Sequence, residues 1–176
     1  MGVRPVRRLV VSALIAAIYA ALTMGLSFMS YGPVQFRVAE ALCVLPFFLP
    51  WTVWGVTLGC LLSNLISAYG PADVVLGTLA TLLTCLAVAA LGRGNRKSWL
   101  RCILACLMPV LFNAVIVGAM TAWFEVGGFG GAAFWTAFAV NGAFVGLGEL
   151  VVMFVLGLPL IRVLPRSDLI RRLQAD

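Results

Sequence analysis

The sequence predicts an all-α integral membrane protein with six transmembrane helices and both termini in the cytoplasm, forming a single domain over residues 1–176. Three observations carry this expectation. The 176 residues are 63% hydrophobic and only 10% charged, with a mean hydropathy of +1.11. A soluble domain carries about 25% charged residues and has no core large enough to hide so much apolar surface. Apolar runs recur along the whole chain. Finally, eleven of the 12 basic residues fall in three clusters: Arg4, Arg7 and Arg8; Arg93, Arg96, Lys97 and Arg101; Arg162, Arg166, Arg171 and Arg172. That is the pattern of cytoplasmic loops and tails, so the net charge of +6 points to a membrane and not to nucleic acid.

The first apolar run, residues 9–28, is too long for the core of a cleavable signal, and more runs follow it. Residues 52–67, 73–91, 102–123 and 135–161 are further candidate spans, since a membrane helix needs roughly 20 apolar residues. Residues 38–49 are the short piece. They contain Pro46 and end at Pro50, and twelve residues reach only about 18 Å as an α-helix. Charge parity decides how to count them. If residues 38–67 formed one bent helix, there would be five spans, and the 93–101 loop would face outside. A turn at Pro46–Pro50 instead gives six crossings and puts all three basic clusters on one side. The second helix is then short, tilted or partly re-entrant.

The outer connections hold Tyr31-Gly32-Pro33, Tyr69-Gly70-Pro71 and the stretch EVGGFGGA at 125–132. The repeated Tyr-Gly-Pro predicts tight turns, and the glycines of the third connection predict a mobile one. No Gly-Lys-Ser/Thr ending or other nucleotide motif occurs, so the chain is not expected to hydrolyse ATP. With no histidine there is no His relay or His–metal set. Cys43, Cys60, Cys85, Cys102 and Cys106 form no C-x-x-C pair and read as buried free thiols. No metal, cofactor or enzymatic nucleophile–base pair is expected.

The polar residues inside apolar runs are the functional candidates. They are Arg37, Glu40, Asn64, Asp73, Asn113, Asn141 and Glu149. Ionisable groups are costly in a bilayer and normally face a protein interior or a wet cavity, so the simplest arrangement is a polar pocket open to the outside. Each residue also has a plainer role. Arg37 and Glu40, at i and i+3, can pair with each other. Asp73 can cap its helix, and the three asparagines can join helices. Glu149 is hardest to explain by packing. It shares a helical face with Gly142 and Gly146, which leaves room for a ligand or a closely packed helix. Pro109 removes a helical hydrogen bond one turn before Asn113, which predicts a break there. On helix one, Ser12, Ala16 and Ala20 form one small-residue ridge, and Ala13, Ala17 and Ala21 a second. Such ridges serve either packing inside the bundle or docking onto another protein.

The stretches YGPVQFRVAEALCVLPFF, GCLLSNLIS, DVVLGTLATLL, PVLFNAVIVG and GLGELVVMFVLGLPL, in this order, are spread along nearly the whole chain. They resemble the QueT family of substrate-binding S components of energy-coupling factor transporters. Ser63 stands where that family commonly has Ala before the helix-three Asn. The resemblance implies a six-helix protein of the bacterial cytoplasmic membrane that captures a queuosine precursor from outside. Candidates are 7-aminomethyl-7-deazaguanine, 7-cyano-7-deazaguanine and queuine. It further implies a transmembrane T subunit and two ATPase subunits as partners, with Ala13 and Ala17 in the docking surface. The chemistry of the residues agrees. A deazaguanine offers N–H donors to a carboxylate and O6 to Arg or an amide, and Tyr31, Tyr69, Trp123 or Trp135 are candidates to stack on its ring. A stand-alone secondary carrier, a non-transporting membrane scaffold and a membrane enzyme are the rival expectations.

Overall fold

The computed structural model describes residues 3–30 and 34–175. The Tyr31-Gly32-Pro33 turn therefore lies outside the described residues, as does Asp176. The described chain is helical throughout, without strands. α1 spans Val3–Gly25 and is followed by the single turn α2, Ser27–Ser30. A ten-residue 3-10 helix, Val38–Phe47, comes next, and then α3, Val53–Asn64, and α4, Pro71–Leu91. α5, Trp99–Phe112, continues through a π-helical turn, Asn113–Val117, into α6, Gly118–Val126. α7, Gly131–Val152, continues through a second π turn, Met153–Gly157, into α8, Leu158–Val163. A short amphipathic helix, α9, Asp168–Ala175, ends the description.

Among the described residues, four stretches are long and apolar enough to cross a membrane: Pro5–Gly25, Pro71–Leu91, Trp99–Val126 and Gly131–Arg166. The other two expected spans are shorter. α3 has 12 residues and rises about 18 Å, and the 3-10 helix has 10 and rises about 20 Å, both under the roughly 30 Å of a hydrocarbon core.

The turn expected between Pro46 and Pro50 is present. Pro46 lies inside the 3-10 helix, Leu49 is extended at φ −129°, and Pro50 opens the next short turn with its φ already helical. Direction follows from which residues meet. Arg37 reaches Asp73, Glu40 reaches Thr81, and Phe47 lies against Gly92, so the 3-10 helix runs parallel to α4. α3 runs the other way, from the end that holds Phe47 back to Asn64, beside Asp73. At the Phe47 end, Arg8, Arg96, Leu173 and Gln174 line one cavity with Phe48–Trp51. The start of α1, the α4–α5 loop and the C-terminal helix thus share one end of the bundle, as the three charge clusters imply.

The two ridges on α1 separate. The Ser12–Ala16 ridge packs on α3, where Gly55 faces the Ser12 backbone and Gly59 faces Ala16 and Tyr19. A Cβ at Gly59 would come within 2.6 Å of Tyr19 Cβ. Ala13, Ala17 and Ala21 are exposed, about 100° round the helix from that ridge. In the second half of the chain, Gly142 and Gly146 of α7 pack on Ala114 and Gly118 of the partner helix in antiparallel fashion. The small-residue face beside Glu149 is therefore used for close helix approach.

The 3-10 helix sits inside this packing. Ala39, Glu40, Ala41, Cys43, Val44, Pro46 and Phe47 are all buried. Ten residues are unusual for this conformation, whose hydrogen bonds are poorer than those of an α-helix. Surrounding protein makes it tolerable at membrane depth, because irregular backbone survives there only when it does not face lipid.

Candidate functional site

Glu40 is the hub of a buried polar network. The 3-10 helix turns it toward α1 and α4. Tyr19 donates its hydroxyl to Glu40 Oε1 at 2.5 Å, and Cys43 donates to Oε2 at 3.0 Å. Thr81 Oγ1 lies 3.3 Å from Oε1 and 3.1 Å from Cys60 Sγ. Asn64 extends the chain of bonds, donating to Cys60 Sγ at 3.3 Å and to the Asp73 carbonyl at 3.1 Å. Arg37 Nη2 stands 3.4 Å from Asp73 Oδ2, closing a cross-helix ion pair. Gly77 leaves room here, since a Cβ would run into Asp73 Oδ1 and Asn64 Nδ2.

A second group stands on the facing helices. Asn113, the first residue of its π turn, donates Nδ2 to Glu149 Oε1 at 3.2 Å. Glu149 lies one turn before the other π turn, so both long helices deform beside this pair. The break expected from Pro109 takes this form: a wide turn, the kind often found at functional sites. The two groups are neighbours. The 34–37 segment passes over Gly148, whose missing Cβ admits the Gln35 backbone, and Glu149 is within electrostatic reach of Glu40 and Arg37.

Arg37, Glu40, Asn64, Asp73, Asn113 and Glu149 are each 2% exposed or less. They form a buried polar cluster inside the bundle and do not face an outward-open pocket, and the 34–37 segment and the 3-10 helix are packed against it. Inside it, Asn64 Oδ1, Asp73 Oδ1 and Glu149 Oε2 are buried acceptors with no hydrogen-bond partner. Such groups are expensive unless something donates to them. The cluster groups three carboxylates with one guanidinium.

Three expectations are corrected. Asp73 is not the cap of α4: Gly70, at φ +56°, holds that position, and Asp73 is the third residue of the first turn, where the helix dipole still favours a carboxylate. Asn141 lies apart from the polar cluster. It donates to Glu125 Oε2 at 2.7 Å and to its own helix at Ala137, two turns beyond Glu149 toward the glycine-rich connection. The proposed stacking aromatics Tyr69, Trp123 and Trp135 belong to a cluster at that same end. Tyr69 packs on Phe124, Trp123 on Phe124 and Phe129, and Trp135 on Phe134 and Phe138. Tyr31, the fourth, lies outside the described residues. Burial pushes the Tyr69 phenol above its ordinary value, with Asp73 and Glu125 adding to the effect, so it stays a neutral donor.

The sequence reading missed Tyr19, Thr81 and the polar use of two cysteines. All five cysteines are buried and free, as expected, but Cys43 and Cys60 are members of the Glu40 network. Tyr19 carries a signal in retrospect: it is the one large polar side chain on an otherwise aliphatic helix face, flanking the Ser12–Ala16 ridge.

Tyr19→Phe keeps the ring and removes the donor to Glu40. It is expected to lower stability by about 1–3 kcal/mol, measured by thermal unfolding of the purified protein in detergent. An unchanged midpoint would mean that Cys43 and Thr81 alone satisfy Glu40.

A family model described as QueT transporter matches residues 9–166. The chain is 47% identical over 77 residues to a protein of Lactococcus lactis subsp. cremoris (strain MG1363) named queuosine precursor transporter QueT. That alignment covers 43% of this chain and 45% of the relative, so it spans less than half the length of either. No solved structure matches. Multi-pass apolar helices and a family match across nearly the whole chain lead to one assignment: this protein belongs to the QueT transporter family of the bacterial cell membrane.

Proposed function

We propose that the protein is the substrate-binding S component of an energy-coupling factor importer and that it binds a queuosine precursor, a 7-deazaguanine, in the chamber between Glu40 and Glu149. The observation that carries this reading is the enclosed set of acceptors. Asn64 Oδ1, Asp73 Oδ1 and Glu149 Oε2 lack donors, and a deazaguanine supplies donors along its pyrimidine edge. One carboxylate takes two parallel N–H groups, while Arg37 and Asn113 offer donors to O6. Three carboxylates against one arginine leave an excess of acid, which suits a precursor bearing a cationic aminomethyl group better than a neutral cyano one. Family membership and the name of the Lactococcus relative support the substrate class.

In this reading the chain crosses the membrane six times, with the two short segments counted as crossings and both termini in the cytoplasm. The positive-inside rule supports that orientation, because the basic clusters gather at one end. Transport needs a T subunit and two ATPases. The exposed ridge of Ala13, Ala17 and Ala21 is the surface to which the T subunit docks, since small residues let another helix approach closely. Asn141 and the aromatic end belong to the entrance.

Glu149→Gln keeps size and removes charge and one acceptor lone-pair set. Affinity for 7-aminomethyl-7-deazaguanine, titrated on the purified protein, is expected to fall about ten- to a hundredfold, as for a lost charged hydrogen bond. Unchanged affinity removes Glu149 from the site. Unchanged affinity together with uptake that no longer varies with pH favours a proton-coupled carrier instead.

Ala17→Leu is expected to leave that affinity unchanged and to abolish uptake in cells supplied with the T subunit and ATPases. Normal co-purification with the ATPase module would exclude this ridge as the docking face.

A cysteine placed at Val126 is expected to react with an impermeant thiol reagent added to intact cells, and one at Asn95 is not. Labelling of Asn95 from outside would overturn the orientation.

A further inference from the structure

The three unpaired acceptors of the buried cluster do not stand in equivalent surroundings. Asn64 ends α3 and Asp73 lies in the first turn of α4, and each is held by its other polar atom. Asn64 Nδ2 donates to the Asp73 carbonyl at 3.1 Å, which fixes the amide and leaves Oδ1 without a donor. Asp73 Oδ2 faces Arg37 Nη2 at 3.4 Å, while Oδ1 lies over Gly77 and has no donor. The charge of Asp73 is thus already countered, and what these two oxygens lack is a neutral N–H. Glu149 differs. Its Oε1 accepts from the Asn113 amide at 3.2 Å, and its Oε2 has no donor. Among the described residues no basic side chain comes within ion-pair distance of it. A carboxylate buried beside a neutral amide is completed most strongly by a cation.

Both groups are within reach of one small ligand. Arg37 belongs to the Asp73 group, and the Gln35 backbone rests on Gly148, next to Glu149. Two residues of chain span at most about 7 Å, and Glu149 is within electrostatic reach of Arg37. A deazaguanine with a 7-aminomethyl group has the same division of chemistry. Its pyrimidine edge carries neutral N–H donors, and its five-membered ring carries an ammonium. We infer, resting on the reading that a deazaguanine binds in this cluster, that Asn64 and Asp73 hold the neutral edge while Glu149 binds the cationic 7-substituent. Glu149 is then the residue that sets the preference for a charged substituent over a neutral one, and the ring edge is held in the same way for both.

The test titrates the purified full chain in detergent with 7-aminomethyl-7-deazaguanine and 7-cyano-7-deazaguanine in parallel. The wild-type chain is expected to bind the aminomethyl compound about tenfold or more tightly than the cyano compound. Glu149→Gln is expected to weaken the aminomethyl compound by about ten- to a hundredfold and the cyano compound by no more than about threefold, because the new amide offers a donor to the nitrile nitrogen. Retained binding of the cyano compound shows that the variant is folded. Glu149→Asp keeps the charge but draws it back by one methylene, and is expected to weaken the aminomethyl compound alone, by a smaller factor. The two variants are read independently, so one that fails to fold leaves the other to decide. Asn64→Ala is expected to weaken both compounds alike, by about three- to tenfold, since it removes an acceptor that they share. Three results would overturn the assignment and leave deazaguanine binding itself in place: no wild-type preference for the aminomethyl compound, an unchanged preference in the folded Glu149 variants, or a selective loss of the aminomethyl compound in Asn64→Ala. A wild-type chain that binds neither compound would overturn the proposed function, and the assignment with it.

Discussion

The structure depends on keeping one carboxylate away from lipid. Glu40 stands on a helix whose own backbone hydrogen bonds are weak, in the middle of a chain that is otherwise apolar. An ionisable group there is tolerable only with donors around it and protein on every side. The donors come from three directions: Tyr19 from α1, Cys43 from its own helix and Thr81 from α4. The shielding follows from the same requirement. α1 closes on α3 through Gly55 and Gly59, α4 approaches the Phe47 turn through Gly92, and α7 accepts the 34–37 segment through Gly148. Each glycine lets a helix come close enough that no gap opens beside the polar centre. Satisfying a buried charge and packing the bundle are thus one problem with one solution.

Glu40 and Glu149, one in each half of the polar cluster, differ in how completely they are satisfied. Both Glu40 oxygens have partners, whereas Glu149 has one oxygen on Asn113 and one with none. Replacing either member of such a network leaves the other buried and unpaired, so the cost is high in both halves. In the proposed reading a ligand is received at the unpaired acceptors, Glu149 Oε2 with Asn64 Oδ1 and Asp73 Oδ1, where binding supplies missing bonds and need not break existing ones.

Much of this was legible in the sequence. Arg37, Glu40, Asn64, Asp73, Asn113 and Glu149 stand out because polar residues in apolar runs are rare enough to be individually informative. Charge clustering placed the chain ends and the 93–101 loop together, and two prolines marked the reversal. Other features depend on tertiary choices that no local pattern encodes. Arg37 had two carboxylates available, Glu40 three residues away and Asp73 far along the chain, and its position at the head of a 3-10 helix directs it to Asp73. A thiol in an apolar run looks the same whether it packs against leucine or donates to a carboxylate, so Cys43 and Cys60 passed as filler. Asn141 is a polar residue in an apolar run like the other candidates, yet two helical turns separate it from Glu149, enough to give it Glu125 as a partner instead.

The two π turns have a consequence for how the long helices present themselves. Ala105, Pro109, Asn113 and Val117 are buried at intervals of four, as are Val145, Glu149, Met153, Gly157 and Ile161. In an α-helix of 3.6 residues per turn, a stripe with period four drifts by about 40° at each step and would soon wind out toward lipid. The wider turns at Asn113–Val117 and Met153–Gly157 cancel part of that drift. They keep a single row of side chains aimed inward across most of the membrane thickness. Asn113 and Glu149 sit in those rows among alanine, valine, methionine and isoleucine, so the phase of each helix is set by its apolar anchors above and below. One residue gained or lost at either wide turn would rotate everything beyond it by about 100°, turning an anchor row to the outside while leaving the helix itself intact.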